Sequence, residues 1–245
     1  MTLYNDKFYE NRHKNTLYSA ETILSIVQDS IPEIKSAVDL GCGVGTWLSV
    51  LEKRGATKIC GLDGSWVNKD YLEIQKDSFI EHNFSKGIDP IIDRTFDLAI
   101  SLEVAEHLPP SSAEGFISLL TSLSEVVLFS AAIPQQGGTG HINEQWANYW
   151  ISLFENRGYV VADIIRKRIW NDESIPRWYR QNTLVFIKKE RIQALKVKSS
   201  YSDYIPPEVY LLYFNRLATP GIKQSLRALF LAFRRRILRM FRTDS

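Results

Sequence analysis

Residues 38–48, with the sequence VDLGCGVGTWL, place three glycines at alternate positions directly after a short apolar run. Glycine permits positive φ angles in such a turn and lets a ligand approach the main chain. A dinucleotide fold requires a third glycine where Thr46 stands, and a Walker-type phosphate loop requires Gly-Lys-Ser/Thr, which is absent. Asp39, two residues before the first glycine, suits a ligand with an amino group better than a pyrophosphate.

Apolar runs and helical patterns alternate from residue 16 to about residue 190. The apolar runs predict strands buried on both faces, as in a parallel sheet, at 36–41, 58–63, 78–83, 96–101, 125–131, 159–165 and 182–189. Helices are predicted between and before them, at 16–30, 46–55, 110–123 and 143–157. This order predicts an α/β fold with a doubly wound, seven-stranded, mostly parallel sheet. We divide the chain into an N-terminal helix or lid (1–30), an α/β domain (31–190) and a C-terminal helical appendage (191–245).

Charge is distributed unevenly along the chain. The net charge is only +2, from 30 basic and 28 acidic side chains, but residues 221–245 hold seven Lys or Arg against one Asp. The preceding 220 residues therefore have a net charge of −4. A mildly acidic body is followed by a basic tail.

Cysteine content and hydropathy indicate a protein of the reducing cytoplasm. Two cysteines are too few for a disulfide scaffold or a thiolate zinc site. The N-terminal residues lack the apolar core of a signal peptide, and no apolar run reaches the roughly 18 residues of a spanning helix. We therefore predict a cytoplasmic protein, with a peripheral place on the inner membrane as an option for its basic tail.

Asp63 ends the second predicted strand, in the sequence GLDGS. It follows the glycine turn by the interval of about 20 residues that is usual in a βαβ unit, and a carboxylate there can accept two hydrogen bonds from a ribose diol. The alternative is a turn or helix N-cap aspartate.

Four segments together resemble the class I S-adenosylmethionine-dependent methyltransferases: VDLGCGVGTWL, GLDGS, IEHNF and FDLAISLEVAEHL. They occur in order and at the family's spacing, and the similarity covers about residues 30–190. The resemblance implies a Rossmann-like methyltransferase fold with the last strand antiparallel. It also implies S-adenosylmethionine as cofactor, lying across the carboxyl ends of the first strands.

The resemblance also assigns cofactor-binding residues. Asp39 and the turn Gly41, Cys42, Gly43 and Gly45 would contact the methionine portion, and Asp63 would hold the ribose hydroxyls. Asn83, at a position where many members have aspartate, would lie near the adenine. Glu103, after the fourth strand, would line the cofactor amine or the active site.

Methyl transfer to a hydroxyl group requires alignment and a proton acceptor, for which neutral imidazole is suited. His107 and His141 follow the fourth and fifth strands, at the rim where acceptors bind in open α/β sheets. We predict His141 as general base, with His107 and Glu103 beside it. The alternative is that His141 only orients the substrate or caps the helix that follows.

The segment EVAEH permits a second interpretation. Glu103, Glu106, His107 and His141 would supply oxygen and nitrogen ligands for a divalent ion. Some methyltransferases with this pattern bind magnesium and many bind no metal. We predict no resident metal, with this four-residue site as the alternative.

The segment 166–189 joins the last two strands through a predicted loop that is rich in Arg, Trp and Tyr. Arg177 and Arg180 could grip a phosphate or carboxylate, and Trp170 and Trp178 could stack on a sugar or base. Asn143 and Glu144, beside His141, are further candidates for substrate binding. The alternative for 166–189 is an aromatic cluster beneath a long loop.

Two patterns, H-x-N-E-Q-W and R-x-W-N-D…W-Y-R-Q-N, resemble methyltransferases of bacterial surface-glycan biosynthesis. The similarity implies O-methylation of a sugar, sugar phosphate or glycan. Two rivals remain: an O-methyltransferase of a small phenol, acid or quinone precursor, and a non-catalytic cofactor-binding accessory protein.

The basic tail carries apolar residues at helical spacing from Ile222 to Phe241. A basic amphipathic helix of about 20 residues predicts binding to an anionic membrane surface. The alternative is a helix docked on the body or in a dimer interface. Nucleic acid is not expected as a partner, because the tail lacks regularly interleaved aromatic residues; the oligomeric state stays open.

Overall fold

One seven-stranded sheet runs through the part of the chain that this computed structural model describes. Its strands are β1 (Ser36–Leu40), β2 (Lys58–Asp63), β3 (Phe79–Glu81), β4 (Leu98–Leu102), β5 (Val126–Ser130), β6 (Tyr159–Ala162) and β7 (Leu184–Lys188). Their order is β3-β2-β1-β4-β5-β7-β6, and only β7 runs antiparallel to its neighbours. The predicted doubly wound sheet with an antiparallel last strand is confirmed.

The described residues are 6–31, 33–88, 92–193, 195, 198, 200–201, 211, 221–222, 225–226, 228–231 and 233. For residues 6–15 only the backbone is described. The side chains through which the first 15 residues would act as the predicted lid therefore lie outside the described part of the chain.

The helices are α1 (Asp6–Ser30), α2 (Thr46–Lys53), α3 (Ala113–Leu123), α4 (Ala147–Glu155), α5 (Arg166–Ile169), α6 (Arg177–Asn182) and α7 (Lys189–Ile192). Two predicted helix starts and one predicted loop are wrong. Helix α1 begins ten residues earlier than predicted, since no Pro or Gly interrupts residues 6–16. Helix α4 begins at Ala147 and not at 143, because the backbone of Trp146 is extended, with φ −62° and ψ 150°. The predicted loop between β6 and β7 contains the short helices α5 and α6.

Helices cover both faces of the sheet. On one face, α1 and α2 bury Leu24 and Leu48 against the sheet, in a cluster that includes Leu128 of β5. On the other face, α3 and α4 pack in a cluster that includes Phe129 of the same strand. Consecutive residues of one strand are thus buried on opposite sides, which explains the unbroken apolar runs in the sequence.

The second half of α1 belongs to the core. Ala20, Ile23, Leu24 and Val27 are fully buried, and the helix packs against α2. Burial against α2 and the sheet accounts for the apolar pattern of residues 16–30.

The chain divides into two units, Met1–Asp203 and Tyr204–Ser245. The first unit extends beyond the α/β domain boundary expected at residue 190, because Ser200 forms an isolated bridge with Ala162 at the edge of β6. In the second unit, the described residues between 222 and 233 are helical. No helix among the described residues is long and apolar enough to cross a membrane.

Candidate functional site

The glycine turn connects β1 to α2 in a conformation that L-residues rarely adopt. Gly41, Gly43 and Gly45 have φ angles of 90°, 55° and 88°. A Cβ at Gly41 would lie 2.3 Å from Cγ2 of Val104, so the chain after β4 passes directly against the turn. A Cβ at Gly43 would meet no atom within 4 Å. The middle of the turn therefore borders open space, as a ligand-binding turn requires.

Asp63 joins the end of β2 to this turn. Its Oδ2 accepts a 2.7 Å hydrogen bond from the Gly43 amide, and its Oδ1 accepts one of 2.7 Å from the Gly64 amide. Burial raises the pKa of Asp63, and these hydrogen bonds partly offset that rise. These two contacts are the ones expected if Asp63 is a turn aspartate, the alternative considered from the sequence. They leave room for ribose binding as well, because each carboxylate oxygen can accept more than one hydrogen bond.

Asp39 lies beneath the turn with 2% of its surface exposed. Burial, and secondarily the charge of Asp63, raise the pKa of Asp39 well above its ordinary value. The Cys42 thiol packs inward against β2, where a Cβ at Gly61 would lie 2.7 Å from its Sγ. Burial also raises the pKa of Cys42, so this thiol is an inert packing group.

Asn83 follows β3, and its Oδ1 accepts a 3.0 Å hydrogen bond from the Ser85 amide. The preceding His82 lies 2.9 Å from the Gly87 carbonyl through Nε2, and its ring packs edge-on against Phe84. The structure thus places the predicted adenine residue in a local turn at the end of β3.

Glu103 follows β4 with a φ angle of 56°, which is unusual for a residue other than glycine. Its amide donates to the carbonyl and hydroxyl oxygens of Ser130. Its Oε2 accepts from Gln136 at 2.8 Å, and its Oε1 accepts from Asn182 at 3.0 Å. Burial raises the pKa of Glu103, and the amide donors lower it. The sequence prediction missed Gln136 and Asn182, although Asn182 stands in the quoted W-Y-R-Q-N pattern.

Glu106 is fully buried in a 3-10 turn after β4. Neither carboxyl oxygen forms a well-aligned hydrogen bond among the described residues, although the Ala132 backbone and the Glu103 side chain lie close enough to influence its pKa. Burial, followed by the charge of Glu103, raises the pKa of Glu106 to about 9. A buried carboxyl group without a partner is costly unless a proton or a bound cation compensates it.

The two predicted catalytic histidines lie together. The rings of His107 and His141 pack edge-on, with centroids 4.8 Å apart and an interplanar angle of 85°. His107 Nδ1 lies 3.3 Å from the Gly140 carbonyl, and His141 Nδ1 lies 2.9 Å from Glu144 Oε1. An oxygen of either kind accepts a hydrogen bond, so each ring carries a proton on Nδ1 and, when neutral, a lone pair on Nε2.

Glu144 and Asn143 support the loop that carries His141. The Glu144 carboxylate also accepts from the amides of Gln135, at 2.7 Å, and Gly137, at 3.1 Å. Asn143 is 2% exposed, and its backbone amide donates to the Glu106 carbonyl. Both side chains were predicted to bind substrate. The structure instead directs Glu144 at His141 and the loop, and Asn143 into the interior.

Donor atoms of Glu106, His107 and His141 lie within 4.8 Å of one another. Glu103, the fourth member of the predicted metal site, lies outside this group and is occupied by two amides. One buried carboxylate without a partner and two imidazoles suit a divalent cation of the magnesium-to-zinc series. The residues present therefore fit such an ion.

The predicted acceptor residues between β6 and β7 separate into two groups. The Arg180 guanidinium is buried and donates to the carbonyls of Ile175, at 3.0 Å, and Trp170, at 2.9 Å, so it holds its own segment together. Arg177 and Trp178, in the first turn of α6, are exposed. Only the second group faces solvent where an acceptor can reach it.

The loop 131–146 between β5 and α4, called here the histidine loop, carries two exposed apolar side chains that the sequence prediction missed as candidates. Ile142 is 59% exposed and Trp146 is 52% exposed. Backbone hydrogen bonds from residues 142 and 143 to Glu106, and from 145 to Ala132, anchor this stretch in an extended form. Successive side chains therefore alternate between interior and solvent, and these two point outward.

The glycine turn, the acid at the tip of β2 and the strand order together match one protein family. A family model for a methyltransferase domain matches residues 12–178. The chain belongs to this methyltransferase family. Among curated protein sequences, none shows significant similarity to it.

Solved structures support the same fold for this methyltransferase domain. Magnesium protoporphyrin IX methyltransferase from Synechocystis, solved with bound S-adenosylmethionine, is 21% identical with a TM-score of 0.51, over 77% of this chain and 86% of that one. DesVI of Streptomyces venezuelae is 15% identical with a TM-score of 0.54, over 75% and 96% of the two chains. A putative O-methyltransferase from Nostoc punctiforme is 15% identical with a TM-score of 0.52, over 71% and 56%.

Proposed function

We propose that this protein is an S-adenosylmethionine-dependent O-methyltransferase. The observation that carries the proposal is an acid-lined glycine turn: Asp39 is buried beneath it, Asp63 and Glu103 are half-buried beside it, and no Lys or Arg among the described residues pairs with them. A ligand that carries cationic groups would compensate these carboxylates. S-adenosylmethionine has two such groups, an ammonium and a sulfonium, and the Synechocystis relative binds it.

The histidine loop supports transfer to a hydroxyl acceptor. The acceptor oxygen attacks the methyl carbon, the carbon–sulfur bond breaks, and its electron pair remains on the neutral thioether of S-adenosylhomocysteine. His141 Nε2 takes the hydroxyl proton, while Glu144 fixes the ring through Nδ1 and stabilises the imidazolium that forms. The perpendicular ring of His107 packs against His141 and limits its rotation.

The acceptor we propose is a sugar, sugar phosphate or glycan of bacterial surface polysaccharide biosynthesis. Exposed indoles of Trp146 and Trp178 can stack on sugar rings, and Arg177 can bind a phosphate or carboxylate. A small phenol, acid or quinone precursor is the alternative acceptor. A purely accessory, cofactor-binding role is the alternative outside catalysis.

The test is incubation with methyl-labelled cofactor and a panel of nucleotide sugars, sugar phosphates, lipid-linked glycans and small phenols. Mass spectrometry should detect a methylated sugar together with an equal amount of S-adenosylhomocysteine. A methylated phenol or quinone precursor would favour the alternative acceptor. Cofactor binding without turnover of any acceptor would favour the accessory role.

A second proposal makes His141 a metal ligand in place of the general base, and the orphaned Glu106 carboxyl group favours it. Glu106, His107 and His141 would hold a divalent cation, which would supply Lewis-acid polarisation of the acceptor oxygen. Calorimetry with Mg²⁺ or Mn²⁺ should show binding that His107→Ala removes and that His82→Ala, a packed histidine outside this group, leaves in place. Absence of heat with either ion, together with full turnover in EDTA, would contradict the proposal.

We propose that the C-terminal helix binds an anionic membrane surface peripherally. Leu231 is 39% exposed, and five other described apolar residues of this helix are 61–82% exposed, namely Ile222, Leu226, Leu229, Phe230 and Phe233. Seven basic residues in 221–245 provide electrostatic attraction of about 1 kcal/mol each close to such a surface. The protein should cosediment with phosphatidylglycerol vesicles at low salt and not with phosphatidylcholine vesicles, and Phe230→Glu should weaken the binding. No cosedimentation, with a concentration-dependent dimer instead, would favour the interface alternative.

A further inference from the structure

Three side chains from distant parts of the chain form a closed hydrogen-bonded ring, called here the Glu103 clamp. Gln136 donates to Glu103 Oε2 at 2.8 Å, Asn182 donates to Glu103 Oε1 at 3.0 Å, and Asn182 also donates to Gln136 Oε1 at 2.8 Å. Glu103 follows β4, Gln136 belongs to the loop of His141, and Asn182 ends α6. The clamp therefore joins three loops at the carboxyl edge of the sheet.

The orientations of the two amides in the clamp are determined by Glu103. A carboxylate only accepts hydrogen bonds, so both amides must present NH₂ groups to it. Asn182 is 7% exposed, uses its amide nitrogen twice, and accepts from Gln181 at 3.1 Å. Because so many of its donors and acceptors are used, the clamp has one low-energy arrangement. This arrangement holds the Glu103 carboxylate in place although the backbone of Glu103 has a positive φ angle.

The clamp lies beside the glycine turn. Strands β1 and β4 are parallel neighbours, and Asp39 is paired with Ile100. Cys42 and Glu103 each lie three residues beyond that pair. The adjacent Val104 is the side chain that a Cβ at Gly41 would strike. The charged and titratable groups that face Glu103 are Glu106 and His141. None of these is a fixed cation, so a ligand ammonium has an unpaired carboxylate to approach.

We propose that Gln136 and Asn182 are positioning residues that fix the Glu103 carboxylate for the ammonium group of the bound cofactor. The inference rests on the proposed function, since it takes the turn as the site of the methionyl portion. It adds two residues that act through Glu103 without touching the reacting atoms. A charge-assisted contact of this kind depends strongly on the direction of the carboxylate.

The test compares two ligands that differ in the amino-acid portion, whose ammonium group the clamp would serve. S-adenosylhomocysteine carries the amino-acid portion, whereas 5′-methylthioadenosine keeps the nucleoside and thioether and lacks the ammonium. By calorimetry, Asn182→Ala and Gln136→Ala should each weaken S-adenosylhomocysteine binding about tenfold. Affinity for 5′-methylthioadenosine should stay unchanged.

Tyr18→Phe is the matched control. It removes a 2.9 Å hydrogen bond from α1 to Asp172, in the same segment between β6 and β7, without touching Glu103. It should leave both affinities unchanged.

The double variant Glu103→Gln with Asn182→Asp exchanges acid and amide within the clamp. It should recover the thermal stability lost by Asn182→Ala while S-adenosylhomocysteine binding stays weak, because the charge has moved.

Equal weakening of both ligands by the alanine variants would assign the clamp a structural role only and would overturn the inference. Wild-type affinity of both variants for both ligands would overturn it as well. Folded wild-type protein that binds neither ligand would overturn the proposed function itself, an outcome distinguishable from the other two.

Discussion

At the scale of single residues, the position of His141 depends on the absence of a side chain at Gly138. Gly138 has an ordinary φ angle, yet a Cβ there would lie 2.2 Å from Nε2 of His141. His141 cannot easily move aside, because Glu144 holds its other ring nitrogen at 2.9 Å. Gly138 thus provides the space in which the His141 imidazole is placed.

We predict that Gly138→Ala displaces the His141 ring and lowers turnover about a hundredfold, an effect in the range of general acid–base catalysis. Affinity for S-adenosylhomocysteine should be unchanged, because the glycine turn is untouched. Steady-state kinetics and calorimetry on the same preparation separate the two quantities. Gly137→Ala, whose Cβ would meet no atom within 4 Å but whose φ angle is 75°, provides a comparison in which the backbone and not the ring is strained.

For Asp39 we propose a role in cofactor binding that has a cost in stability. Its pKa is raised well above the ordinary value by burial and then by Asp63. A carboxyl group whose pKa is higher in the folded than in the unfolded state makes its full contribution to stability at pH values below its unfolded-state pKa. That contribution is lost as the pH rises toward the folded-state value. The ligand-free protein should therefore lose stability as the pH rises.

We predict that Asp39→Asn reduces this loss. Between about pH 5 and about pH 8, the melting temperature of the ligand-free variant should fall less than that of the wild type. Its affinity for S-adenosylhomocysteine should decrease about tenfold or more, because a charged acceptor is gone. Differential scanning fluorimetry across pH provides the first measurement, and calorimetry the second. An identical pH slope in the two proteins would contradict this account.

At the scale of elements, the segment between β6 and β7 is built around a buried ion pair. Arg166 is 2% exposed, and its guanidinium donates to both carboxylate oxygens of Asp163, at 3.0 Å and 2.6 Å, and to the Gln181 carbonyl. The pair ties the end of β6 to α6, whose last residue reaches Glu103. Local helix propensity contributes little here, since α5 and α6 are only four and six residues long.

We predict that Arg166→Met destabilises the protein by about 3 kcal/mol, because it leaves the Asp163 carboxylate buried without its cation. The double variant Arg166→Met with Asp163→Asn should be less destabilised. Arg168→Met, which removes an exposed ion pair with Asp29, should cost less than about 1 kcal/mol. Urea unfolding measures all three. Equal losses for Arg166 and Arg168 would show that the buried pair is not a main support of this segment.

At the scale of the whole molecule, both hydrophobic clusters belong to the first unit. Their described members, and the apolar residues packed against them, all precede residue 204. The second unit contributes exposed apolar residues and, by sequence, most of the tail's positive charge. Folding and cofactor binding are therefore expected from the first unit, and surface attachment from the second.

We predict that deletion of residues 204–245 changes the melting temperature by no more than about 2 °C, which corresponds to about 0.5–1 kcal/mol for a domain of this size. Affinity for S-adenosylhomocysteine should be unchanged, and binding to phosphatidylglycerol vesicles should be lost. A large fall in melting temperature would mean that the second unit contributes to the core. Retained vesicle binding would place the membrane-binding surface on the first unit.

Sequence patterns were sufficient for those features that depend on neighbouring residues. The seven apolar runs predicted seven strands, because a strand covered on both faces needs apolar residues throughout. The alternate glycines predicted a turn with positive φ angles, because other residues avoid that conformation. The rim position of His107 and His141 followed from the strand order, since parallel strands end at one edge of the sheet.

Contacts between side chains were decided by the packing of distant segments. Glu103 meets Gln136 and Asn182 across 33 and 79 residues of chain, and no local periodicity encodes such a pairing. Arg180 and Glu144 carry charges that suggested substrate contacts, but the fold turns them toward a backbone carbonyl and an imidazole. A charged residue type is set by the sequence, while its partner depends on which groups tertiary packing brings within hydrogen-bond distance.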